Sequence, residues 1–154
     1  MPVIHRLIVT ALMLLCGSSP AVAIEHTTIK SHASGTFSTG WTHLVDTSQG
    51  VLYYNSATGA AAVGRFNESG SFSTLKTMEL SKGWTSIVSL PDGILFYNSQ
   101  TGAGLIGRLD ATGTLSSVKQ LDLSKGWTTI VHTPGGIAYY NAKTGAGALG
   151  RIHY

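Results

Sequence analysis

Past residue 23 the chain is a succession of short apolar runs cut by polar turns, and nowhere does it carry the 3.6-residue period of an amphipathic helix. In the stretch 83–125 four such runs stand out, at 84–90, 94–98, 104–109 and 115–123. Pro91-Asp92-Gly93, Thr101-Gly102 and Asp110-Ala111-Thr112-Gly113 separate them, and each break has the residues that turns require. The second run, with Ile94, Leu95, Phe96 and Tyr97, is apolar almost throughout, as in a strand covered on both faces. The fourth alternates Leu121 and Leu123 with Gln120, Asp122 and Ser124, as in an edge strand with one wet face. The pattern predicts four antiparallel strands joined by short turns.

The same pattern is written three times. GWTHLV begins at Gly40, GWTSIV at Gly83 and GWTTIV at Gly126, which spaces Trp41, Trp84 and Trp127 by 43 residues. Copies 40–82 and 83–125 are complete, whereas 126–154 holds strands one to three. Residues 27–39 stand before Gly40-Trp41 where fourth strands stand before Gly83 and Gly126, so they predict a fourth strand for the third copy. Four antiparallel strands in about 40–45 residues is the size of one β-propeller blade. The expected fold is therefore all-β, a β-propeller of four-stranded blades at 40–82, 83–125 and a composite of 126–154 with 27–39. Propellers typically close with about four to eight blades, so three predict a homodimer closing a six-bladed ring, with exchange of the N-terminal strand as one route. An open arc of three blades is the alternative.

Composition directs this domain out of the cytosol. His5 and Arg6, the apolar run 7–16 and the small-x-small site Ala21-Val22-Ala23 predict a signal peptide at 1–23 and a mature propeller domain at 24–154, secreted or periplasmic. The apolar run is about ten residues, against the roughly 20 that span a bilayer, so no transmembrane segment is expected. Cys16, the one cysteine, would leave with the leader, which excludes an internal disulfide. Lipoprotein cleavage before Cys16 competes with this reading, although Leu15 is larger than the residue such sites use. Ten Lys and Arg against seven Asp and Glu give a formal charge of +3, reduced to +2 without Arg6. With 11% charged residues spread along the chain, there is no basic face for nucleic acid.

Four chemically useful residues recur at the same point of all three copies: Trp41, Trp84 and Trp127; Tyr54, Tyr97 and Tyr140; Asn55, Asn98 and Asn141; Arg65, Arg108 and Arg151. Either every blade needs the same packing or every blade carries the same site. Packing explains the glycines: Gly59, Gly102 and Gly145 follow Thr at a turn that favours positive φ, and Gly64, Gly107 and Gly150 allow close approach. Tryptophan serves either as inter-blade core or as a flat face for a sugar ring. Arginine's planar fork fits hydroxyl, carboxylate or phosphate groups, or else stacks on a neighbouring ring or bonds blade carbonyls. Asparagine offers a donor and an acceptor, to a ligand or to the local backbone.

Motifs for catalysis are missing. His26, His32, His43, His132 and His153 fall at unrelated repeat positions and lack metal-ligand spacing. The acidic residues form neither a repeated pair of the glycosidase kind nor a calcium loop, and no G-x-S-x-G or phosphate-cradling loop occurs. A non-enzyme without cofactor or metal is expected.

Taken together, the GWT opening, the LYYN and LFYN second strands, the TGAG turn and the GR ending resemble the repeats of secreted β-propeller lectins of the tachylectin-2-like and tectonin type, over 27–154. The resemblance implies shallow sugar sites on or between blades, one per repeat, with Trp41, Trp84 and Trp127 for stacking and the Asn and Arg of the same repeats as polar partners. Glycans or glycoconjugates are then the expected partners. The alternative from another class is a protein-interaction or adhesion propeller whose repeated residues are purely structural.

Overall fold

A computed structural model of the chain describes residues 37–152. The signal peptide expected at 1–23, Cys16, most of the strand expected at 27–39, and His26, His32 and His153 lie outside the described residues.

Eleven strands and no helix make up this part of the chain. Sheet 1 is a meander of β1 (His43–Thr47), β2 (Gly50–Tyr54), β3 (Ala60–Phe66) and β4 (Phe72–Glu79). Sheet 2 repeats it with β5 (Ser86–Leu90), β6 (Gly93–Tyr97), β7 (Ala103–Leu109) and β8 (Leu115–Asp122). Sheet 3 has β9 (Thr129–Thr133), β10 (Gly136–Tyr140) and β11 (Gly147–Gly150). Every pairing is antiparallel, and no sheet closes on itself. The strands expected at 94–98, 104–109 and 115–123 are found within a residue of their places. The first begins later than expected, at Ser86 rather than Trp84. Trp84 belongs to the connection, where its N–H donates to the Tyr54 hydroxyl at 3.3 Å instead of joining a ladder.

The first strands lie next to one another, β1 beside β5 and β5 beside β9, and the sheets stack face to face outward from that line. Period-two alternation then fixes what each sheet buries. In β6, Ile94 and Phe96 point into a core shared with Val45, Leu52, Tyr54 and Val63 of sheet 1. Leu95 and Tyr97, the intervening residues, join Ile106 in a second core with Ile130 and Ile137 of sheet 3. The central sheet is therefore dry on both faces, which is why the Tyr97 hydroxyl is the one polar side-chain group in GILFY. Full burial of side chains such as Phe96 and Leu95 stabilises the stack by about 1.5–3 kcal/mol each.

The two outermost faces have no sheet against them among the described residues. On sheet 1 the outer face shows Leu44 and Phe66, and Phe37 from the preceding segment lies on it. On sheet 3 the outer face shows Val131, Tyr140 and Leu149. Each of the other large apolar residues at these repeat positions is buried or partly buried inside a junction.

Candidate functional site

The most repeated polar residues first serve the fold. Asn98 follows β6, and its Oδ1 accepts the N–H groups of Gln100 and Thr101 at 2.9 and 3.1 Å. Asn55 and Asn141 do the same with the two equivalent N–H groups of their own turns. This is the local side-chain turn that asparagine favours. The turn closes with Gly102 at φ 81°, a conformation free of cost only for glycine. Asn55 also donates through Nδ2 to the Gly40 carbonyl at 2.7 Å, tying the turn to the start of the repeat. The threonine of each GWT works beside it: Thr85 Oγ1 accepts from the Ser99 N–H at 2.9 Å and donates to the Tyr97 carbonyl at 3.2 Å.

Tyrosine links one sheet to the next. The Tyr54 hydroxyl donates to the Ser81 carbonyl at 2.7 Å and accepts from the Trp84 N–H; Tyr97 repeats both bonds with Ser124, at 2.8 Å, and Trp127, at 3.2 Å. Both rings are fully buried. Burial raises the pKa of the Tyr54 phenol, with the Trp84 N–H working against it, so the hydroxyl stays a donor. Tyr140, the third of the set, is 48% exposed and its hydroxyl has no partner among the described residues. Each tryptophan packs against an aromatic of the second strand, with centroids 5.7–5.8 Å apart: Trp84 on Phe96 and Trp127 on Tyr139 inside the two junctions, and Trp41 on Tyr53 on the outer face of sheet 1. Trp84 is buried, while Trp41 and Trp127, on the flanking sheets, are half-buried.

The arginines stand at the opposite end of the strands, about 14 Å away by strand rise. Each Nε donates to a carbonyl in the turn between first and second strands: Arg65 to Gln49 at 2.7 Å, Arg108 to Asp92 at 3.0 Å and Arg151 to Gly135 at 3.3 Å. Arg65 also spends a terminal amino group on the Gln49 side chain. The terminal amino groups of Arg108 and Arg151 have no partner among the described residues, and both side chains are exposed.

These arginines face clefts that recur between the sheets. One, of about 190 Å³, lies between sheets 1 and 2, with Thr47 and Ser48 on one side and Pro91, Asp92 and Arg108 on the other. The next, of about 480 Å³, lies one period on, with Leu90, Pro91 and Asp92 facing Pro134, Gly135 and Arg151. The larger falls within the roughly 300–1,000 Å³ of small-molecule sites. The structure thus brings Arg108 and Arg151 into equivalent clefts and leaves the Tyr, Asn and Trp sets at the other end. Thr47, Pro91 and Asp92 are cleft residues that sequence reasoning missed. Their turn reads Ser-Gln, Pro-Asp and Pro-Gly in successive copies, so a search for identical residues passes over it.

A furrow along the first strands carries Asp46, Ser89 and His132 at one repeat position, with no hydrogen bond joining them. No cluster of three metal-ligating side chains occurs among the described residues, and no helix there is long and apolar enough to cross a membrane. Comparison with known proteins assigns no family to the chain: no family model matches it, and neither does any curated protein.

Proposed function

We propose that this chain is a secreted, non-catalytic β-propeller that binds carbohydrate in the clefts between its blades. Its three sheets are read as blades because two are four-stranded meanders of the size expected for one, the third repeats the first three strands, and their first strands line up side by side. The observation that carries the function is the recurrence of the Arg108 and Arg151 clefts. In each, a guanidinium with free donors stands near the Asp92 carboxylate and the apolar rings and chains of Pro91 and Leu90.

That mixture suits a polyol. Sugar hydroxyls can accept from the guanidinium and donate to the carboxylate, while C–H faces rest on apolar carbon. A phosphate or sulfate would meet the like charge of Asp92. Single sites of this kind are weak, with millimolar binding worth about −4 kcal/mol, and repetition raises avidity by roughly 10² to 10⁴ on a dense glycan surface.

The test is a glycan array probed with the wild type and with the Arg108→Ala, Arg151→Ala double variant. Binding by the wild type and its loss in a folded variant support the reading. A well-folded wild type that binds no glycan favours the second reading, a protein-interaction or adhesion propeller. That reading draws on the internal hydrogen bonds of the Tyr54, Tyr97, Asn55, Asn98 and Asn141 side chains, which account for their repetition by folding alone.

A further inference from the structure

The two outer faces of the stack are unsatisfied in complementary ways. At both internal junctions the same set of contacts recurs, and each half of that set is displayed, unpaired, at one end of the stack. Tyr54 and Tyr97 receive a carbonyl and an N–H from the segment entering the next sheet. Tyr140, their counterpart on sheet 3, receives neither, while Ser38 and Trp41, the counterparts of the donating segment, enter sheet 1 with no tyrosine hydroxyl to meet.

Glycines report the same mismatch. A Cβ on Gly59 or Gly102 would run into the carbonyl of Leu80 or Leu123, whereas one on Gly145 would meet nothing within 4 Å. The residue one period before Leu80 is Phe37, which lies on sheet 1 against Tyr53 with centroids 5.8 Å apart. Likewise Gly107 is capped by Leu115, whose Cδ1 is 2.8 Å from the Cβ position, and Gly64 by Phe72. Gly150 has only the edge of its own sheet's Tyr139, at 3.3 Å. Apolar exposure falls at the same two places. Of seven exposed large apolar residues among the described residues, Phe37, Leu44 and Phe66 belong to the outer side of sheet 1, and Val131, Tyr140 and Leu149 to that of sheet 3.

We infer that the occupant of each face is the opposite face of a second copy of this chain, in a head-to-tail junction that reproduces the internal ones. Sheet 3 of one copy stacks on sheet 1 of the other. Tyr140 donates to the partner copy's Ser38 carbonyl and accepts from its Trp41 N–H, and the partner's Phe37 backbone crosses Gly145. Two such junctions, related by a two-fold axis, satisfy all four outer faces with six sheets, and the association closes rather than growing into a filament. The junction also completes a third cleft. Arg65 and Gln49 form one wall at the exposed end of sheet 1, and Thr133 and Pro134 of the other copy supply the wall that Thr47 and Ser48 supply to Arg108. The inference rests on reading the sheets as blades and is independent of what the clefts bind.

Light scattering on the full chain tests it, together with two surface variants, Leu149→Lys on sheet 3 and Leu44→Lys on sheet 1. Both positions are more than 60% exposed, so the monomer's fold does not depend on them. The expected result is twice the monomer mass for the wild type and monomer mass for each folded variant alone. An equimolar mixture of the two variants regains dimer mass, because one wild-type sheet 3 face still meets one wild-type sheet 1 face. Tyr140→Phe, which removes one hydroxyl, weakens the wild-type dimer by about tenfold or more. A monomeric wild type at all concentrations overturns the inference. So does a folded variant that is still dimeric on its own, since that marks a junction of like faces that its lysine does not enter. A dimer that binds no sugar leaves the inference standing and removes the proposed function; a sugar-binding monomer does the reverse.

Discussion

Identical residues do unequal work in this chain, and the tyrosines show why. Tyr97 serves a carbonyl 27 residues ahead and an N–H 30 residues ahead, both in the connection to sheet 3. Tyr97→Phe leaves both groups unpaired in a buried place, and urea unfolding should register a loss of about 1–3 kcal/mol. Tyr140→Phe, measured where the chain is dilute enough to be monomeric, should fall within about 0.5 kcal/mol of wild type, because its hydroxyl has nothing to lose. A second contrast concerns charge. Asp110 accepts from the hydroxyl of Thr112 and from the N–H groups of Thr114 and Thr112, and these bonds hold its carboxyl below the ordinary value of 3.8. A depressed folded-state pKa contributes stability that is complete above the unfolded value and disappears as the pH falls through the folded one. Asp110→Asn should therefore flatten the decline in urea midpoint between about pH 5 and pH 2. The equivalent turn in sheet 1 already uses Asn67, which accepts from Ser69 and Ser71 without a titrating group.

At the level of strands, the third and fourth of each complete sheet pair with a slip in register, at Val63/Gly64 and again at Ile106/Gly107. The slip inserts one residue into the outer strand and brings a large side chain across the glycine: Phe72 in one sheet, Leu115 in the next. Gly64→Ala places a Cβ inside the Phe72 ring and should lower stability by about 1–3 kcal/mol, read from the shift in urea midpoint. Gly150→Ala meets only the movable edge of Tyr139 and should cost less than half as much in the monomer. Much of this level was legible beforehand. The 43-residue period, the order of four strands and the turn glycines follow from hydrophobic alternation and turn chemistry, which are local. Which face each strand turns to its neighbour was not, because Leu95 and Phe96 are equally apolar and serve different cores. Nor could residue type reveal that the Tyr and Asn side chains are occupied, since the Tyr54 and Tyr97 partners lie nearly thirty residues away. Arginine stood out as a recurring position, but its cleft is built with a turn that changes in every copy.

For the whole molecule, the number of clefts matters more than the strength of one. Two lie within the described chain, and the proposed junction between copies would add one more per copy. Leu149 lines neither of the two clefts, so on the proposed reading Leu149→Lys should leave binding of a single soluble glycan per site unchanged. On a densely coated glycan surface its apparent affinity should fall by roughly 10²-fold, the share that linkage between sites supplies. Surface plasmon resonance at high and low glycan density separates the two effects. A drop of equal size at both densities would place Leu149 in the site itself.

The matched outer faces also make the chain's connectivity interchangeable with its assembly. Residues 26–154 span three whole periods, so a gene encoding Tyr154 followed directly by His26 of a second copy keeps the 43-residue phase without a linker. Translated as one polypeptide, that tandem would turn one of the two non-covalent junctions into an ordinary blade-to-blade connection. On the head-to-tail dimer proposed above, the product would be a monomer with the dimer's dimensions, whose assembly no longer depends on protein concentration.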